Sequence, residues 1–235
     1  MNPTSLACPL CIATSVRLFF QDTRDYYRCG KCQLVFVPPE QFLSAEQEKE
    51  VYDQHQNSPG NEGYRKFLSR LFEPLNDRLA PGSRGLDFGS GPGPTLSLMF
   101  EEAGHKVSIY DPFYAPDGPF YAPNGAPSAV AGTDVGENTR KAGPYDFITA
   151  SEVVEHLHRP EAELNRLWNC LRPGGLLGIM TKRVIDQDAF AHWHYKNDPT
   201  HVCFFSEETF EHLATRWQAK LTIVGDDVVL LAKRR

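Results

Sequence analysis

The apolar positions of this chain gather in short runs separated by glycine and proline, with longer mixed stretches between them. Near the start, Val16-Arg17-Leu18-Phe19-Phe20, Asp25-Tyr26-Tyr27-Arg28 and Leu34-Val35-Phe36-Val37 read as short strands. Pro38-Pro39 closes that segment, and residues 44–56 and 62–79 then read as helices, broken by Asn57-Ser58-Pro59-Gly60. From residue 84 the pattern alternates. Strands are predicted at 84–88, 106–110, 129–131 (a weak third), 145–150 and 176–181, and a helix at 160–171 is stopped by Arg172-Pro173-Gly174-Gly175. Ser206 can cap a helix running to about Arg216, with Glu207 and Glu208 in its first turn, and 221–224 with 228–231 form a closing hairpin. Strands alternating with helices imply an α/β fold with a doubly wound, mostly parallel sheet and ligands at the carboxyl ends of its strands.

The turn after the strand at 84–88 carries the first chemical signal. In Asp87-Phe88-Gly89-Ser90-Gly91-Pro92-Gly93-Pro94 the three glycines allow a sharp turn and clear side chains from a surface that a ligand can press against. Pro94 suits the first turn of a helix whose exposed N–H groups then face a carboxylate or phosphate. The next strand ends at Asp111, an acid able to take both hydroxyls of a ribose. Beyond it, Phe113-Tyr114-Ala115-Pro116-Asp117-Gly118-Pro119 is nearly repeated as Phe120-Tyr121-Ala122-Pro123-Asn124-Gly125-Ala126. Pro-Asp-Gly and Pro-Asn-Gly are turn formers, so this is a double-turn loop, either a rim of an adenine pocket or a surface insertion.

Composition narrows the class. The 235 residues can hold one full α/β domain and a small appendage, and a net charge of −6 argues against a broad nucleic-acid footprint. The start of the chain shows no basic region followed by an apolar run, and no stretch reaches membrane-spanning length, so a cytoplasmic protein without membrane partners is the expectation. Four of the six cysteines form two pairs, Cys8-Pro9-Leu10-Cys11 and Cys29-Gly30-Lys31-Cys32, at the spacing of a four-cysteine zinc site. About forty residues cannot bury a sufficient core alone, so a metal staple is what such a module needs; buried or redox-active cysteines are the other reading. Cys170 and Cys203 read as core residues. The expected division is 1–39, a metal-stapled module; 40–82, a helical cap or linker; and 83–235, the ligand-binding domain.

The Asp-x-Gly-x-Gly-x-Gly loop with its downstream acid resembles motif I and the following acidic motif of class I S-adenosylmethionine (SAM) methyltransferases. Residues 145–157, ending in Glu152-Val153-Val154-Glu155-His156-Leu157, resemble the fourth motif of that family, and Leu171-Arg172-Pro173-Gly174-Gly175-Leu176-Leu177 the motif before its fifth strand. The chain is thus similar to ubiquinone-pathway methyltransferases of the methyltransferase-23 type. Residues 1–39 resemble a zinc ribbon, departing from it in having Ile12 and Gln33 where glycine commonly follows the second cysteine. The resemblance implies a Rossmann-like, seven-stranded sheet and a SAM-dependent enzyme. It places Gly89, Ser90, Gly91 and Gly93 against the methionine part of SAM, Asp87 as the residue ordering the loop, and Asp111 on the ribose. Pro112 and Phe113 would flank the adenine, with Asp134 a candidate for its amine. Ser151 and Glu152 would line the sulfonium side, and Tyr52, Tyr64 and Arg65 either reach the cofactor or only pack.

Methyl transfer to oxygen or nitrogen can also need a proton removed, and histidine suits that task near neutral pH. Glu152, Glu155 and His156 share a side if helical, and Glu-x-x-Glu-His resembles a divalent-ion site of some O-methyltransferases; without a metal the same residues form a helix start and pocket wall. His201, in the aromatic loop after the fifth strand, is the preferred base or fourth metal ligand, and Trp193 and Tyr195 could wall a flat acceptor or face the sulfonium. Catalysis is therefore assigned to His156 and His201, and structural zinc to Cys8, Cys11, Cys29 and Cys32. The acceptor is expected to be a small molecule methylated at oxygen, nitrogen or carbon. The alternatives are RNA guided by the ribbon, where Arg17, Arg24, Arg28 and Lys31 add positive charge, and a non-catalytic SAM-binding or zinc scaffold.

Overall fold

The structure, a computed structural model, describes residues 6–54, 58–118 and 144–235. At the N-terminus, β1 (Val16–Gln21), β2 (Asp25–Cys29) and β3 (Val35–Phe36) form an antiparallel meander. After a 3-10 turn at Pro39–Gln41, α1 (Ala45–Tyr52) opens with a capping box, the Ser44 hydroxyl taking the Gln47 N–H while the Gln47 side chain returns to the Ser44 N–H. The amphipathic α2 (Glu62–Asn76) buries Leu68, Leu71 and Leu75.

Next come β4 (Arg84–Phe88), α3 (Thr95–Glu102), β5 (Lys106–Tyr110), β6 (Tyr145–Ser151) and α4 (Pro160–Cys170). They are followed by β7 (Leu171–Met180), α5 (Gln187–Ala191), β8 (Cys203–Phe204) and α6 (Glu207–Trp217). β9 (Lys220–Val224) and β10 (Val228–Ala232) close the chain as the expected hairpin. The main sheet runs β5-β4-β6-β7-β10-β9, parallel through β7 and antiparallel over the hairpin. The expected seven strands are therefore six and mixed among the described residues; the weak strand at 129–131, Asp134 and the second half of the double-turn loop lie outside them. β7 begins five residues earlier than the sequence suggested, because Leu171 already pairs with Tyr145 and the Pro-Gly-Gly stretch is absorbed as an irregularity of the ladder.

The N-terminal meander gains its fourth strand from the far end of the chain. β3 pairs with β8, Val35 opposite Phe204 and Phe36 opposite Cys203, so a backbone ladder crosses the boundary expected at residue 39. A continuous buried cluster joins the two sides, with Tyr26, Phe36, Phe190, Phe204 and Leu34 all shielded from solvent. The loop expected after the fifth strand contains α5 and a 3-10 turn at His194–Asn197, both packed beneath β1 and β2. No described helix is long and apolar enough to cross a membrane.

Candidate active site

β4, β5 and β6 end side by side, and the turns leaving them enclose a cavity of about 370 Å³, within the ~300–1,000 Å³ usual for small-molecule sites. Gly89 (φ +74°) and Gly91 (φ +63°) adopt the left-handed backbone that the turn needs. Gly89 is doubly constrained, because a Cβ there would lie 2.4 Å from a methyl of Val153. Beneath the loop, Asp87 is buried and accepts the Thr149 hydroxyl at 2.8 Å; burial pushes its carboxyl up to about 6. Asp111 accepts the Gly91 N–H at 2.9 Å on one oxygen and the Phe113 and Tyr114 N–H groups at 2.9 and 3.1 Å on the other. One carboxylate thus ties the glycine loop to the turn after β5.

Gly89, Ser90, Gly91, Gly93, Asp111, Pro112, Phe113, Ser151 and Glu152 all line this cavity, as do Tyr52 and Tyr64 from the preceding helices. Asp87 does not reach it. Arg65 pairs with Glu102 at the surface instead of approaching the site. Two buried wall atoms, Ser90 Oγ and Glu152 Oε1, have no hydrogen-bond partner among the described residues, as expected where a polar ligand belongs. Glu152 stands at the end of β6 with φ +52°, a strained setting for a non-glycine residue that directs its side chain inward. Burial, then the Asp227 charge, push its carboxyl up to about 7.

The cavity wall also contains His156, His201, Asp198, Glu48, His158 and Glu163. The two expected catalytic imidazoles meet edge to face, with ring centres 4.6 Å apart. Each has its Nδ1 against a main-chain oxygen of one loop, His201 against Tyr195 at 2.8 Å and His156 against Thr200 at 3.3 Å. A carbonyl can only accept, so both rings carry hydrogen on Nδ1, which makes Nε2 the basic nitrogen. Asp198 is held below the usual carboxylate range; burial opposes this, but the Thr200 hydroxyl and the His201 and His156 rings outweigh it.

Glu152 and Glu155 both approach the Tyr195 hydroxyl, Glu152 at 3.5 Å, but no helix joins them. The segment Val154–His156 is a single 3-10 turn, so Glu155 turns inward behind the cavity wall, fully buried, and accepts the Tyr195 hydroxyl at 2.5 Å. Burial and the Glu152 carboxylate push Glu155 up to about 8. Glu155, His156 and His201 offer ligand atoms within 4.8 Å of one another, and Glu152 is outside that group. Tyr195 and Trp193 do not line the cavity. They pack against Phe190, Phe204 and His201, which makes them supports of the loop.

Sequence reasoning passed over Glu48, His158, Glu163 and Asp198. Glu48 is buried and accepts from His158 Nε2 at 2.7 Å, and its one sequence signal was a charged residue on a helix expected to cover a ligand. Outside the cavity wall, Cys8 and Cys32 have Sγ atoms 3.5 Å apart, as do Cys11 and Cys29, and all four thiols lie within 4.8 Å of one another. These separations exclude disulfides, whose sulfurs sit ~2.05 Å apart.

Residues 54–223 match the methyltransferase domain family. No curated protein matches the chain. Among solved structures, it resembles the 1,6-didemethyltoxoflavin N1-methyltransferase of Burkholderia thailandensis, solved with 1,6-didemethyltoxoflavin and S-adenosylhomocysteine. The two are 17% identical over 86% of this chain and 96% of that one, with a TM-score of 0.55. A plantazolicin methyltransferase solved with S-adenosylhomocysteine is 15% identical over 81% of this chain and 90% of that chain, at a TM-score of 0.50. These likenesses are of fold, whereas the family match spans most of the sequence together with the glycine loop and the strand ends around it. The chain therefore belongs to the methyltransferase domain family and is a SAM-dependent methyltransferase.

Proposed function

We propose that this enzyme methylates a small hydroxyl- or amine-bearing acceptor that carries no phosphate. One observation supports the choice above others: the described cavity wall contains five carboxylates (Glu48, Asp111, Glu152, Glu163 and Asp198) and three histidines but no lysine or arginine. A phosphorylated or polyanionic acceptor would bring negative charge against that wall, where weak screening makes the repulsion large. This counts against the RNA reading. The likeness to an enzyme solved with a small heterocyclic acceptor agrees with it.

SAM supplies an already activated methyl group, so the protein's task is alignment and removal of a proton. The N–H groups and Ser90 Oγ of the glycine loop hold the amino-acid end of the donor, Asp111 accepts the ribose hydroxyls, and Pro112 and Phe113 flank the adenine. Ser151 and Glu152 line the sulfonium side, the unpartnered Glu152 oxygen being suited to a positive neighbour. His201, with His156 beside it, takes the acceptor's proton on Nε2 as the acceptor displaces S-adenosylhomocysteine. The mutual approach of Glu155, His156 and His201 favours a second reading in which these three hold a divalent ion that lowers the pKa of an acceptor hydroxyl.

Calorimetry with SAM and S-adenosylhomocysteine, then release of the latter over a panel of phenols, amines and phosphorylated analogues, tests the proposal. Turnover confined to phosphorylated acceptors would refute it. Activity that vanishes on chelation and returns with a divalent ion would favour the metal reading.

We further assign Cys8, Cys11, Cys29 and Cys32 to one structural zinc ion and residues 1–39 to a zinc ribbon. The two cysteine turns are built alike: Ile12 N–H bonds to Cys8 O and Gln33 N–H to Cys29 O, and both residues sit at φ +61°. The backbone thus makes the turn that glycine usually makes, with Ile12 and Gln33 tolerated in its place. Metal analysis giving one zinc per chain is the expected result.

A further inference from the structure

The hairpin between β1 and β2 points away from the cysteine cluster and into the loop that carries His201. Arg24, in that hairpin, donates through Nη1 to the carbonyls of Pro199 (2.9 Å) and His201 (3.0 Å), and through Nη2 to those of Lys196 (2.5 Å) and Asp198 (2.9 Å). The Tyr26 hydroxyl adds a second donor to Lys196 O at 3.1 Å. Asp22, two residues before Arg24, forms an ion pair with the Lys196 ammonium group. The Val37 N–H takes the Val202 carbonyl at 2.9 Å, and the Val202 N–H in turn bonds to Glu155 O at 2.8 Å.

A loop of irregular backbone must place each carbonyl somewhere, and here the placement is divided between two tasks. The carbonyls of 196, 198, 199 and 201 go to one guanidinium, while those of 195 and 200 go to the Nδ1 atoms of His201 and His156. Arg24 therefore fixes the peptide planes on both sides of the one at 200 and on one side of the one at 195, the two that set the imidazole tautomers. A planar fork with several fixed donors suits this; a lysine, with one compact ammonium group, could not hold four diverging oxygens. From this we infer that the N-terminal module is a working part of the active site and that Arg24 is the positioning residue through which it orients His201 and His156 for proton removal. The inference rests on the reading of His201 as the base, and the measurements below separate the two.

Two readouts follow the loop without needing the acceptor. In the full-length chain carrying 15N-labelled histidine, His201 is expected as the Nδ1–H tautomer when neutral. In Arg24→Ala the Nε2–H form grows in, and the amides of Thr200, His201 and Val202 exchange about tenfold faster, as for a locally loosened segment. Arg24→Lys retains the charge and shows the same changes. Asp22→Asn keeps the fork but removes the Lys196 link and gives a smaller change of the same sign, so it and Arg24→Lys carry the test if Arg24→Ala does not fold. Affinity for S-adenosylhomocysteine stays within about twofold, because the donor end has no contact with Arg24. Parent-like tautomer and exchange in the Arg24 variants would overturn the inference. Loosening in those variants together with full turnover in His201→Gln would instead leave Arg24 in place and remove His201 as the base.

Discussion

On the function proposed above, the donor end of the cavity is made by adjacent strands of one sheet, and the acceptor end by residues drawn from four distant segments. At the donor end, β4, β5 and β6 deliver the glycine loop, Asp111 and Glu152 from adjacent strand ends, and the parallel ladder alone sets their spacing. At the acceptor end, Glu48 comes from α1, His156 from the turn after β6, Asp198 and His201 from the loop before β8, and Arg24 clamps that loop from the N-terminal hairpin. The first is a property of the α/β fold, which many chemistries can share. The second depends on contacts from the N-terminal hairpin, and we propose it as the place where acceptor preference is built.

Substitutions at the two ends should therefore fail in different ways. The largest effect is expected from His201→Gln, which removes the basic nitrogen: turnover falls by about 10²–10⁴-fold while affinity for S-adenosylhomocysteine is unchanged. An equal loss of both in calorimetry and product release would erase the distinction between the ends. Gly89→Ala should act on the donor side, since a left-handed alanine costs roughly 1–2 kcal/mol and its methyl group meets Val153. The expected result is a loss of SAM affinity of about tenfold or more with a lowered melting temperature. Preserved affinity would show that the loop has more slack than its geometry allows.

A pH-dependent effect on stability comes from Asp87. Its carboxyl titrates near 6 in the folded protein and lower when unfolded, so the folded state holds a proton that the unfolded chain releases between about pH 4 and 6. Its contribution to stability should fall as pH rises through that window, by an amount on the order of 3 kcal/mol, while Glu152 and Glu155, raised to about 7 and about 8, extend the fall to higher pH. In denaturant titrations at pH 4, 5, 6 and 7, Asp87→Asn should be less steep than the parent between pH 4 and 6, and an unchanged slope there would assign it wholly to other groups. The smallest effect is expected at Ile12 and Gln33, whose left-handed backbone favours glycine. Glycine there relieves strain but frees the unfolded chain, a net gain of about 0.5 kcal/mol each, read as a small rise in melting temperature at unchanged zinc content.

The glycine turn was legible because left-handed backbone demands glycine, and the acid at the next strand end is visible in the following run of residues. The two cysteine pairs were legible through spacing alone. The expected helix at Glu152–His156 is a single 3-10 turn after the strained Glu152, so Glu155 stands behind the wall while still meeting Glu152 at the Tyr195 hydroxyl. Trp193 and Tyr195 were read as able to wall an acceptor because aromatic residues near histidines resemble a binding surface, yet Trp193 packs against Phe190 and Phe204, and Tyr195 against Trp193 and His201.

Sequence by itself determined the order of strands and helices, the glycine turn, the acid that follows it and the four thiols, because each is specified by residues close together in the chain. Only the tertiary structure decided that Arg24 reaches the loop carrying His201, that β3 finds its partner in β8, and that the acceptor end carries carboxylates without a lysine or arginine in its described wall. Those arrangements join segments more than a hundred residues apart, and no local preference for helix, strand or turn encodes which distant surface a segment will meet.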